Sequence, residues 1–124
     1  MRFSKMHGLG NDFIIINGFT EQLPEDMGEF ARRICHRQLG VGGDGVILLT
    51  QPLSDKAVAR YLIYNSDGTE AGMCGNGLRC AALFAKRQGI VEGNDFTFEV
   101  LTGFVRPHII DDVHGIVRVD MDVP

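Results

Sequence analysis

Cys74 lies in Met73-Cys74-Gly75-Asn76-Gly77-Leu78-Arg79, directly before the apolar run from Leu78 to Gln88. That run reads as a helix. A cysteine at a helix entrance has its thiolate stabilised by unpaired backbone N–H groups and by the positive end of the helix dipole. The same N–H groups make an anion site. Gly75 and Gly77 carry no side chain, which would let a carboxylate approach Asn76 and its neighbours. A proton-transfer group beside a carboxylate cradle is what abstraction of a proton α to a carboxylate requires. The base takes the proton, and fixed donors hold the charge that develops. The competing reading makes Cys74 a small buried residue, as most lone cysteines are.

Neither remaining cysteine can share that task. Cys80 lies about 9 Å further along the same helix at 1.5 Å per residue, so it reads as core. Cys35 falls on the apolar stripe of an earlier helix and also reads as core. Three cysteines at unpatterned spacing make neither a disulfide framework nor a zinc site.

Two neutral amides are further candidates. Asn11 follows Gly10, and Asn65 precedes Ser66-Asp67-Gly68. Asn is common in turns for backbone reasons, but a pair of amides can also recognise a zwitterionic group without adding charge. His7, at a strand end, reads more readily as a hydrogen-bonded structural residue than as a base. Gly40-Val41-Gly42-Gly43-Asp44-Gly45 matches G-x-G-x-x-G, yet it follows a helix and opens a strand, the reverse of the dinucleotide motif. Asp44 is expected to hydrogen-bond within its own loop.

These residues need elements to hold them. Residues 3–7 and 12–17 read as strands. Pro24 is expected to open a helix, where its missing N–H costs nothing, with Met27, Phe30, Ala31, Ile34 and Cys35 at helical spacing. Strands are expected over 46–49 and 57–64, with a turn at 65–68. The helix from Leu78 to Gln88 is apolar nearly all round, hence buried, and Gly89 closes it. Strands over 96–100, 103–110 and 116–123 follow, the last two joined by a turn at 111–115. The sum is an α/β (α+β) domain, a curled and mostly antiparallel sheet around one buried helix.

The bulk properties fit one ordinary globular domain of 124 residues, with 44% hydrophobic and 23% charged residues. A net charge of −4 without a basic run argues against a nucleic-acid or acidic-membrane partner. No apolar run nears the roughly 18–20 residues that span a bilayer. The N-terminus lacks the apolar stretch of a signal peptide. The cytoplasm is the expected compartment. The stop at Pro124, directly after a strand, suggests a fragment or a separated domain.

Four segments together resemble the diaminopimelate epimerases. They are Lys5-Met6-His7-Gly8-Leu9-Gly10-Asn11-Asp12-Phe13, Arg37-Gln38-Leu39-Gly40-Val41-Gly42-Gly43-Asp44-Gly45, Tyr64-Asn65-Ser66-Asp67-Gly68-Thr69-Glu70 and Met73-Cys74-Gly75-Asn76-Gly77-Leu78-Arg79-Cys80. The resemblance implies a fold of two similar domains, each a curled sheet around a central helix, with residues 1–124 as the N-terminal one. It implies epimerisation of LL- to meso-diaminopimelate with neither pyridoxal phosphate nor metal, by one cysteine as base and a second as acid on opposite faces of the α-carbon. Cys74 matches the first cysteine. Asn11, Asn65, Gly75 and Asn76 match substrate-binding positions. Many members carry Gln where this chain has Gly45. The second cysteine belongs to a C-terminal domain that these residues do not include. The implied partners are an amino-acid substrate and that domain, with a homodimer left open. A related racemase, of histidine for example, and a catalytically inactive half-domain are the alternative readings.

Overall fold

The computed structural model describes residues 1–8, 10–72 and 74–121, with Met121 described in its backbone alone. Ten elements follow one another: β1 (Ser4–Gly8), β2 (Asn11–Asn17), α1 (Met27–Ile34), β3 (Gly45–Thr50), β4 (Ala59–Asn65), β5 (Glu70–Ala71), α2 (Gly75–Arg87), β6 (Phe98–Val100), β7 (Gly103–Asp111) and β8 (Ile116–Met121).

The strands form one sheet in the order β1-β2-β3-β4-β6-β7-β8, with β5 paired on β4. Pairing is antiparallel except for β2 with β3 and β4 with β6, which are parallel. Each parallel pair is joined by a crossover that carries a helix, α1 for the first and α2 for the second, as parallel strands require. α2 packs against β1, β2 and β3 at one end of the sheet and β7 and β8 at the other. One helix can touch both ends only if the sheet curls around it.

Side-chain alternation divides the sheet into two faces. Phe13, Ile15, Ile47, Leu49, Tyr61 and Ile63 join Leu78, Leu83 and Phe84 in the core around α2. Their neighbours Ile14, Ile16, Val46 and Leu48 join Ala31 and Cys35 in a smaller core under α1. The continuous apolar runs of β2 and β3 are the mark of strands covered on both sides.

α1 begins at Met27 with Asp26 as N-cap, whose carboxylate accepts from the Glu29 amide at 3.0 Å. Pro24 therefore lies before the helix instead of opening it. The capping carboxylate satisfies an amide that proline can only omit, and it decides the start. α2 begins at Gly75, three residues ahead of the apolar run, with Cys74 as N-cap. Glycine in a helix costs about 1 kcal/mol each. Burial of Leu78, Leu83 and Phe84 returns about 1.5–3 kcal/mol apiece, so the weak first turn is carried by the rest. At the other end Ile90 N–H bonds to Ala85 O at 2.9 Å and Gly89 N–H to Lys86 O at 3.2 Å. Gly89, with φ +75°, takes the left-handed turn this closure needs. β6 is shorter than the apolar alternation suggests, covering Phe98 to Val100. Of the expected last strand, residues 122–123 lie outside the described residues, as does Leu9.

Candidate active site

Parity brings the candidate residues to one end of the α2 face. Phe13, Gly45 and Asn65 stand in register across β2, β3 and β4. Asn11 lies two residues before Phe13 and so shares its face. The N-terminus of α2 sits over this end. Asn76 Nδ2 donates to Asn11 Oδ1 at 3.1 Å, joining helix to sheet. On the neighbouring strand, Gly8 pairs with Asn11. A Cβ on Gly8 would stand 3.0 Å from Cys80 Sγ and 3.4 Å from an Arg79 guanidinium nitrogen.

Cys74 is half-buried, with extended backbone (φ −135°, ψ 123°). Its carbonyl already accepts the first helical bond, from Leu78 N–H at 2.8 Å. Its side chain caps nothing, and the first turn of α2 contains no acidic residue. Helix N-termini usually meet their unpaired amides with a Ser, Thr, Asp or Asn cap or a nearby carboxylate. Here neither is present among the described residues. Gly75 is exposed, and among the described residues a Cβ there would meet nothing within 4 Å.

Gly77 behaves differently from the expectation that it opens the loop to a ligand. It is buried, and a Cβ there would stand 2.6 Å from the Tyr61 hydroxyl, 3.2 Å from Ile47 and 3.4 Å from Ile63. Its missing side chain admits the β4 tyrosine, not a substrate. Tyr61 itself escapes a reading of the sequence, because it occupies an inward strand position like any core residue. The available signal was Gly77, since a glycine inside a buried helix marks a close approach.

Asn65 is exposed at the end of β4. Its Nδ2 donates to Thr69 Oγ1 at 3.0 Å, so that half of its amide serves its own turn. The structure therefore brings together Cys74, Gly75, Asn76 and Asn11, while Asn65 stands two strands from Phe13 in the same register row, about 10 Å across the sheet. A Cβ on Gly45 would lie 2.9 Å from Tyr64 O, which suits the glycine found here.

The loop before β3 is tied to the start of β2 on the opposite face. Asp44 bonds within its own loop, to Arg37, and also beyond it, to the start of β2. Its carboxylate accepts from the Asp12 amide at 2.7 Å and from Arg37 at 3.2 Å, and its own amide donates to Asp12 O at 2.8 Å. Arg37 also reaches Asp12 Oδ2 at 3.4 Å, and His7 Nδ1 pairs with Asp12 Oδ1. Partial burial opposes ionisation of Asp12, but His7 and Arg37 outweigh it and hold the carboxyl below its ordinary range. His7 is thus engaged in a brace behind the site.

Both remaining cysteines are buried, Cys35 in the α1 core and Cys80 in the α2 core. Desolvation raises the pKa of each. Among the described residues no three His, Cys, Asp or Glu side chains gather as a metal site. No described helix is long and apolar enough to cross a membrane. A cleft of about 480 Å³ opens at the far end of α2, lined by Phe3, Asn17, Glu21, Phe84 and Gln88 among others. It lies some ~20 Å of helix away from Cys74.

A sequence model described as Diaminopimelate epimerase matches residues 3–124. The chain is 51% identical to a Diaminopimelate epimerase of Desulforudis audaxviator, over all of this chain and 44% of that protein. It is 43% identical to the one of Bacillus subtilis, over 99% of this chain and 44% of that protein. The chain thus spans less than half the length of these relatives. Among solved structures, it is similar to a probable proline racemase from Agrobacterium radiobacter, with a TM-score of 0.70 and 22% identity over 96% of this chain and 41% of that one. A hydroxyproline epimerase from Agrobacterium vitis gives a TM-score of 0.68 and 17% identity over 89% of this chain and 38% of that one. These two share the fold, a curled mixed sheet with few helices. By the family match over residues 3–124, the chain belongs to the diaminopimelate epimerase family.

Proposed function

We propose that the chain is the N-terminal half of a diaminopimelate epimerase, interconverting the LL and meso forms without a cofactor, and that Cys74 is one of its two acid/base thiols. One observation carries the reading: the N-terminus of α2 has a cysteine at its N-cap, no side-chain cap and no acid in its first turn, and among the described residues nothing stands within 4 Å of a Cβ on Gly75.

The chemistry follows from that geometry. The α-carboxylate of the amino acid docks on the first-turn amides of Gly75 and Asn76, where the helix dipole favours an anion. Cys74, at the same helix end, faces the α-carbon and exchanges its proton as thiolate or thiol. As the proton leaves, charge spreads onto the carboxylate, and the same amides hold it without having to reorient. The Asn11–Asn76 bond fixes both amides and leaves Asn11 Nδ2 and Asn76 Oδ1, one donor and one acceptor, for the substrate. Asn65, at the rim, is placed for the distal end of the molecule.

Inversion needs a proton delivered to the opposite face. Cys35 and Cys80 are buried in separate cores, so the second thiol comes from a C-terminal domain. The 124 residues alone are therefore expected not to epimerise. A reducing cytoplasm would keep both thiols free.

The test follows the α-proton. The full gene product is incubated with LL-diaminopimelate in deuterated water, and α-deuterium is measured in the recovered amino acid. Exchange is expected in the unsubstituted protein and lost in Cys74→Ala. Exchange that persists in Cys74→Ala removes Cys74 from the reaction.

A further inference from the structure

Beneath the first turn of α2 lies a polar group that the reaction above leaves unused. Tyr61 is 1% exposed, and its hydroxyl has no hydrogen-bond partner among the described residues. The ring is held from the side by Phe98, stacked at 6.4 Å between centroids. The hydroxyl points at the helix, 2.6 Å from where a Gly77 Cβ would be. The Cys74 amide lies close by without completing a hydrogen bond, and the thiols of Cys74 and Cys80 are both within electrostatic reach. Burial above all, and then the two thiols, push the phenol far above its ordinary pKa. It is an O–H donor throughout the working pH range, and no described residue accepts from it.

A buried hydroxyl without a partner is a standing cost, which phenylalanine would avoid at the same volume. The geometry explains what a tyrosine gains here. Of the two sulfurs in reach, Cys80 is 2% exposed and desolvated, so it stays a neutral thiol. Cys74 is half-buried at the N-cap of α2, so of the two it is the sulfur with access to solvent.

We propose that Tyr61 is a positioning residue for Cys74, its hydroxyl donating a hydrogen bond to the Cys74 thiolate from beneath the helix. The bond would aim the sulfur and stabilise its charged form. The proposal rests on the reading of Cys74 as the ionising thiol of the site. Arg79 on α2 lies toward Gly8 of β1, Ile47, Ile63 and Phe98 from β3, β4 and β6 carry no charge, and Glu70 of β5 acts on Tyr64.

The experiment titrates Cys74 in the full gene product by its rate of alkylation with iodoacetamide between pH 5 and 10, located by peptide mapping. Tyr61→Phe is expected to raise the Cys74 midpoint by about one pH unit, slowing alkylation at neutral pH about tenfold, with a melting temperature unchanged or higher. An unchanged midpoint overturns the proposal and leaves Tyr61 a packing residue. A second variant reverses the sign. Fluorotyrosine at position 61 makes a stronger donor of the same shape and should lower the midpoint. A midpoint that stays or rises also overturns the proposal. The two readings fail separately. Should Cys74→Ala retain α-proton exchange, Cys74 leaves the reaction, yet the titration still reports whether Tyr61 meets its thiolate.

Discussion

Asn76 and Asn11 are 65 positions apart in the chain and 3.1 Å apart in space, one amide donating to the other. This bond ties the first turn of α2 to the first residue of β2. It closes a contact between helix and sheet that no local interaction could set. Asn76→Ala removes it while leaving the backbone cradle intact. The expected result is a loss of about 1 kcal/mol in stability and a roughly tenfold fall in kcat/KM of the full gene product, with KM carrying most of the change. Thermal melts and steady-state kinetics check both numbers.

Gly75 and Gly77 look alike in the sequence and should behave oppositely. Gly77→Ala drives a methyl toward the Tyr61 hydroxyl, with Ile47 and Ile63 close beside it. A destabilisation of about 1–3 kcal/mol is expected, read by urea denaturation. Gly75→Ala meets open space and keeps stability within about 0.5 kcal/mol. Its methyl instead narrows the proposed carboxylate site, so substrate affinity should fall. Equal melting of the two variants would contradict this division.

The brace behind the site gives a third expectation. Arg37 holds Asp12 at 3.4 Å and Asp44 at 3.2 Å, linking the glycine loop to the strand that carries Asn11. Arg37→Gln should make the 38–44 segment more susceptible to proteolysis and raise KM several-fold, with kcat less affected. Limited digestion followed by mass spectrometry reads the first effect directly.

Glu99 sets an acid limit on stability. It is 6% exposed and accepts from the amides of Leu53 at 3.0 Å and Ser54 at 2.9 Å and from Arg60 at 2.8 Å. The Leu53 amide most of all, then the Arg60 and Ser54 donors, hold its pKa below the ordinary value against the cost of desolvation. A depressed folded-state pKa means that the stabilisation is complete above the unfolded value, about 4.3 for Glu, and is lost as pH falls through the lower folded value. Glu99→Gln should lower the melting temperature at pH 7 and flatten its fall below about pH 4.3. A parallel shift at all pH values would assign the loss to packing alone.

How far residues alone reveal this molecule depends on the range of the interaction that decides each feature. The start of β2, the burial of α2 and its closure at Gly89 follow from alternation, apolar periodicity and one left-handed glycine, all local. The start of α1 hung on which of Pro24 and Asp26 would act, and a side-chain hydrogen bond to Glu29 decided for Asp26. Asp44 bonds to Arg37 of its own loop as expected, but its bond to Asp12 was hidden for the same reason as the role of Gly77. Their partners, Asp12 and Tyr61, are distant in the chain and are brought near by strand register. The mixed pairing was likewise hidden, because the parallel contacts of β2 with β3 and β4 with β6 depend on what each crossover packs against.

The sheet curls but does not close. β1 and β8 end it with no further strand beyond them among the described residues. An open rim of N–H and C=O groups invites another strand to add, in this protein or from a stray chain. Both rims bear charge, Lys5 on β1 and Arg118 and Asp120 on β8. Charged rims are what keep exposed strands from stacking edge to edge. A few charged side chains on the two outermost strands thus stand against edge pairing, and neutralising them would favour fibrillar self-association even with the core intact.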